Sequence, residues 1–159
     1  MPDYGVDTPS WSALPWSWAA ERLAANRNFW VVTASAQGRP HALPVWGVWD
    51  DRSHRFAFSC GPHSRKLRNL TANPQAVVMT DDTVECLSIE GRAGLLDGSA
   101  QKEPWVERYL EKYQPLSPEL NAEFILANVL VELRPERAFA IIEREEEFAT
   151  RATCWEFEI

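Results

Sequence analysis

No run of apolar residues in this 159-residue chain approaches the roughly 18 that a membrane helix needs, so a helical span and a membrane partner are not expected. The three cysteines, Cys60, Cys86 and Cys154, are odd in number and form no CxxC pair. That disfavours a disulfide framework or a zinc site and fits reduced thiols in a cytoplasmic protein. The opening stretch MPDYGVDTPSWSALPWSW lacks the basic segment and smooth apolar core of a secretory signal, which gives the same expectation. Internal repeats and low-complexity linkers are absent, and GxSxG, HExxH, GxGxxG and P-loop motifs are missing too. What remains is an ordinary globular composition, 45% hydrophobic and 25% charged, that fits one domain over residues 1–159. Eight tryptophans are many for this length and suit cores, interfaces or ligand pockets.

Acidic residues are also missing from one long stretch. Between Arg22 and Thr80 the only acids are Asp50 and Asp51, against the eight bases Arg22, Arg27, Arg39, Arg52, Arg55, Arg65, Lys66 and Arg68. This segment carries +6 in a chain of net charge −7, which leaves −13 for the remainder. The overall charge disfavours a nucleic-acid binder. A local basic zone in an acidic protein suggests a single anionic ligand, such as a phosphate, or neutralisation by the acidic half.

Apolar spacing predicts a helix over Leu14 to Asn26. Strands are predicted at Phe29 to Ser35, Pro40 to Trp49 and Arg55 to Ser59, with a turn at Gln37-Gly38-Arg39 and a hairpin at Asp50 to Ser53. A short helix at Ser64 to Ala72 stops at Asn73-Pro74, and a strand runs from Gln75 to Thr80. From Val84 to Leu95 the residues Leu87, Ile89, Gly91, Ala93 and Leu95 alternate with Ser88, Glu90 and Arg92, as in a strand with one buried face. Helices follow at Gln101 to Tyr113 and Pro118 to Leu126. Two strands, Asn128 to Arg134 and Ala138 to Glu143, are joined by a turn at Pro135; the charge run Glu143 to Glu147 reads as a solvated face, and Ala152 to Ile159 as an extended tail. Six or more short strands linked by hairpins make a mainly β protein, a small antiparallel barrel with peripheral α-helices.

Two segments stand out. In Leu43 to Trp49 both faces are bulky, so a helix, a second subunit or a flat ligand must cover one of them. Pro44 suits an edge or bulge, and Gly47 admits close approach of a neighbour. In Ser59 to Pro74, SCGPHSRKLRNLTANP, a strand ends in a Gly-Pro loop and a helix opens on Ser64-Arg65-Lys66. A helix N-terminus has unpaired N–H groups and a partial positive charge, and the Arg fork and Lys ammonium complete an anion site without a P-loop.

The ordered segments PHALPVWGVW, RFAFSC, HSRKLRNLTANP and QAVVMT resemble the pyridoxamine-5′-phosphate-oxidase-like split β-barrel, in its flavin/deazaflavin oxidoreductase branch, from about Phe29 to Gly91. The resemblance implies a homodimer with cofactor sites at the subunit interface. Relatives bind FMN, coenzyme F420 (an 8-hydroxy-5-deazaflavin) or occasionally haem. By position, Ser64, Arg65 and Lys66 would hold the cofactor phosphate, and Pro44, Val45 and Trp46 would lie along the ring. Ser59 and Cys60 would contact the ring edge or ribityl chain, Arg68 and Arg55 would reach along an anionic tail, and residues near Glu90 and Trp155 would close the partner's site. The sequence departs from the family pattern at Gln37, at Cys60 and in the short acidic segment Asp81 to Ser88. No counterpart of the C-terminal substrate segment of true oxidases is visible, which points away from pyridoxamine phosphate itself.

The five bases between Arg52 and Arg68 form a longer track than one phosphate needs, which favours F420, with its oligoglutamate tail, over FMN. The reaction implied is hydride transfer between the coenzyme and a small unsaturated organic substrate. An FMN oxidoreductase of the same fold and a non-catalytic flavin carrier are the alternatives. His41, His63 or solvent are candidate proton donors, with His41 read foremost as structural.

Overall fold

The computed structural model describes residues 10–158. Residues 1–9, the start of the stretch read for a secretory signal, and Ile159, the end of the predicted tail, lie outside it. Seven strands form one antiparallel sheet in the order β3-β2-β1-β4-β5-β6-β7. They are β1 (Asn28–Ala34), β2 (Pro40–Asp50), β3 (Arg55–Cys60), β4 (Gln75–Thr80), β5 (Glu85–Leu95), β6 (Val129–Ile142) and β7 (Thr153–Glu156). A further pairing of β3 with β6 closes six strands into a barrel and leaves β7 outside the ring. The helices α1 (Trp16–Ala25), α2 (Arg65–Ala72), α3 (Ser99–Tyr113), α4 (Ala122–Leu126) and α5 (Glu145–Arg151) sit at the periphery.

Period-two alternation builds the inside. Phe29, Val31, Trp49, Phe56, Phe58, Val78, Leu87, Ile89 and Leu133 fill the barrel and are buried. Each such side chain contributes about 1.5–3 kcal/mol by leaving water. A second apolar cluster lies outside the wall, where Val48, Ala57 and Leu130 meet Trp105, Val106, Tyr109 and Tyr113 of α3. The helix therefore covers the second bulky face of β2 over Trp46 to Val48, and beyond its reach Ala42 and Pro44 remain exposed.

Two expectations change. The strands predicted on either side of Pro135 are one strand, β6, because the register against β5 shifts between Glu90 and Gly91 and a bulge absorbs the proline. A Cβ at Gly91 would lie 2.0 Å from the Arg134 carbonyl oxygen, so glycine lets the bulged strand close in. The charge run is exposed from Glu143 to Glu146 as expected, but Glu145 begins the short helix α5, which apolar spacing does not mark.

Gly47 serves the close approach foreseen for it. A Cβ there would lie 2.1 Å from Phe56 Cζ, and that ring is wholly buried. Gly47→Ala is expected to cost about 1–3 kcal/mol through overpacking, read as a lower urea midpoint with unchanged slope.

Candidate functional site

The site forms where β2 and β3 part. Their ladder pairs Asp50 with Arg55 and runs to Gly47 opposite Phe58. Beyond that point the Tyr109 hydroxyl stands between the strands, donating to Trp46 O at 2.6 Å and accepting from Ser59 N–H at 3.0 Å. One turn on, the Tyr113 hydroxyl accepts from Gly47 N–H at 2.8 Å and donates to Arg27 O at 2.8 Å. Lys112 donates to Gly47 O at 3.0 Å and to Leu23 O at 3.4 Å. One face of α3 thus satisfies backbone groups of the parted strands and of the segment from Leu23 to Arg27 that runs into β1. Trp46 completes the brace by stacking on Tyr113, with centroids 4.6 Å apart and planes within 2°.

After β3 the chain turns through Gly61 to Ser64 and starts α2. Ser64 caps it, its Oγ accepting from Leu67 N–H at 3.2 Å. Asn69 ties the helix to β1 by donating to the buried Thr33 hydroxyl at 2.9 Å. This fixes Lys66, which is only 7% exposed. Burial pulls its pKa below the ordinary lysine range, and the neighbouring Cys60 thiol partly offsets this. Among the described residues Arg39, Arg65, Lys66 and Arg68 form no ion pair. Arg39, Arg65 and Arg68 line, with Ser35, Gln37 and Asn69, a cleft of about 290 Å³ that contains no acid. Beside it, His41 of β2 carries a buried Nδ1 with no hydrogen-bond partner.

Of the residues singled out in the sequence, Ser64, Arg65, Lys66 and Arg68 gather at the start of α2, with Cys60 next to Lys66. Arg68 is exposed and donates to His63 O at 2.6 Å. Ser59 and Trp46 meet through the Tyr109 hydroxyl. Val45 turns towards the barrel core, while Pro44 faces outward opposite Trp30. The basic track does not run as one line in space. Arg52 lies in the hairpin and Arg55 at the far end of β3, about 16 Å from Cys60 at strand rise, where it faces Glu132 at 3.8 Å. Arg39 takes their place. Trp155 packs edge-on against Trp16 of its own chain, and Glu90 pairs with Arg137 on the outer wall.

A larger hollow lies elsewhere. A cavity of about 700 Å³ is bounded in part by Arg55, Arg92, Arg134, Glu132, Glu136 and Glu158. Three cations against three carboxylates leave it without the net charge that the α2 cleft has. Among the described residues no group of His, Cys, Asp and Glu is placed to hold a metal ion.

The family model described as pyridoxamine 5′-phosphate oxidase matches residues 18–141. The chain belongs to the pyridoxamine 5′-phosphate oxidase family. Solved structures agree on the split-barrel fold. The heme storage protein HutZ from Vibrio cholerae superposes with a TM-score of 0.64 at 19% identity, over 78% of this chain and 92% of that one. A FAD-binding protein from Mesorhizobium loti gives 0.61 at 18%, over 79% and 92%. An F420 reductase gives 0.59 at 20%, over 74% and 93%. No curated protein matches the sequence. The family is the one that the motifs resemble, and the matched residues include β1 to β4 and α2.

Lys112 gives the brace a pH signature. Burial drives its pKa down to about 8, so between about pH 8 and 10 the unfolded chain holds a proton that the native brace has released. Stability contributed by this group rises with pH across that window. Wild type should gain stability relative to Lys112→Met as pH goes from 7.5 to 9.5, measured by urea unfolding at each pH. Parallel pH profiles for the two proteins would contradict the assignment.

Proposed function

We propose that this protein is an oxidoreductase that binds coenzyme F420 and catalyses hydride transfer to or from a small unsaturated organic substrate. The observation that carries the reading is Lys66, a largely buried lysine side chain with no counter-ion at the start of a helix, beside three arginines that form no ion pair. An ion in that position is costly to desolvate unless an anion joins it. The helix N-terminus, the Ser64 hydroxyl, the Arg65 fork and Lys66 suit a phosphate group, and the orphaned His41 nitrogen leaves a polar position for it. The donor set therefore fits the cofactor's phosphate. The cleft of Arg39, Arg65 and Arg68 holds more positive charge than one phosphate needs, which supports a ligand with a polycarboxylate tail over FMN.

When bound, the coenzyme supplies the hydride chemistry at its ring. The chain's part is orientation. Lys66 and Arg65 would anchor the anionic end, and Ser59, Cys60 and the backbone of Val45 and Trp46 would border the ring. Tyr109 and Tyr113 hold that border rigid from behind, which is the preorganisation that proximity catalysis requires.

The second copy implied by the resemblance has a matching surface. Trp30, Val32, Ala42, Pro44, Val77 and Met79 share the outer face of β1, β2 and β4, belong to neither apolar cluster, and leave Trp30 44% exposed. We place the homodimer contact on this face. Light scattering should report a dimer for wild type and a monomer for Trp30→Asp with unchanged circular dichroism; a monomeric wild type would remove the dimer from the account.

Titration of pure protein with F420 and with FMN, side by side, tests the function. F420 should bind near one per chain, and Lys66→Ala should weaken it about 10–100-fold, the worth of one charge-assisted hydrogen bond. Preferential FMN binding, or a yellow protein on purification, would favour the FMN oxidoreductase instead. Tight binding without turnover on a panel of enones and quinones would leave a carrier.

A further inference from the structure

His41 sits where three elements converge. On β1 its cross-strand neighbour is Thr33, whose hydroxyl is taken up by Asn69 of α2. From α2, Arg65 and Lys66 bring positive charge to the imidazole, and Cys60, at the end of β3, lies beside Lys66. Among the described residues no carboxylate is paired with either cation. In this setting Nδ1 is buried and hydrogen-bonded to nothing, which native structures rarely tolerate without a ligand or a water to fill the position. Burial first, and then the two cations, hold the imidazole below its ordinary pKa, which favours its neutral form.

An anion entering between Arg65, Lys66 and His41 reverses that balance. It compensates the two cations that repel a proton on the ring and offers an acceptor to the orphaned nitrogen. We propose that His41 is a proton-coupled ligand of the anion: it takes one proton from solvent as an organic phosphate binds and donates a charged hydrogen bond to it through Nδ1. The inference rests on the proposed anion site and adds to it a role for His41 and a dependence on pH. No bond to carbon forms or breaks in this step, and its balance is one proton from solvent to the imidazole. The consequence is a cofactor grip that tightens as pH falls through the imidazole range.

Calorimetric titration of the full chain with F420 in two buffers of different ionisation enthalpy tests it. At pH 7 wild type should take up a substantial fraction of a proton per ligand bound, and its affinity should rise about tenfold from pH 8 to pH 6. His41→Gln keeps a side chain able to hydrogen-bond but unable to titrate, and should bind without that uptake and without that slope. The difference between the two proteins separates His41 from titration of the ligand itself. Equal proton uptake and parallel pH profiles, with binding still dependent on Lys66, would overturn the role of His41 and leave the anion site standing. Failure of wild type to bind either F420 or FMN would overturn both.

Discussion

A lysine side chain packed into the protein without a counter-ion is the constraint around which this molecule is arranged. Lys66 is in that position because α2 is capped and tied to the barrel wall. Ser64 caps its start, and Asn69 pins its body to Thr33 of the barrel. Moving the helix outward to expose the amine further would give up the Asn69–Thr33 contact. The barrel therefore stores an unmet demand for negative charge at one place on an otherwise acidic protein. Arg39, Arg65 and Arg68 extend that demand along an open cleft.

The second constraint is mechanical. A barrel whose strands stayed paired would leave no backbone border for a ligand, and one whose strands simply parted would leave buried polar groups unsatisfied. Here α3 resolves the conflict with a few side chains on one face. The Tyr109 hydroxyl takes over the hydrogen bonds that β2 and β3 no longer exchange, the Tyr113 hydroxyl and the Lys112 amine tie Gly47 of β2 to Arg27 and Leu23, and Trp105 and Val106 bury the wall behind them. The parted strands are thus a stable feature of the fold, and the cleft beside them is preformed.

Much of this was legible in the sequence because local signals agreed. The alternation from Leu87 to Ala93 announced β5, and Ser64-Arg65-Lys66 after a Gly-Pro loop announced the helix that carries the cations. Gly47 announced a tight contact before Phe56 was known to make it. What escaped was what depends on the third dimension. Pro135 looked like a turn because a bulge opposite Gly91 cannot be read from one strand alone. Arg52 and Arg55 looked continuous with Arg65 and Arg68 because β3, which separates them, counts for nothing in sequence distance. Arg39 just before β2 and His41 within it lie far from α2 in sequence, and only the folded register brings them to it. Tyr109, Lys112 and Tyr113 lie in the helix predicted over Gln101 to Tyr113, but that their polar tips reach backbone groups of Trp46, Gly47 and Ser59 required the structure.

The most direct test of the central claim is a crystal structure of the protein with F420 bound. The account predicts the coenzyme's phosphate within hydrogen-bond distance of Lys66 Nζ and Arg65 at the start of α2, with the ring lying against Val45, Trp46 and Ser59. A coenzyme seated instead in the charge-balanced cavity of Arg55, Arg92 and Arg134, with Lys66 still unpaired, would contradict it.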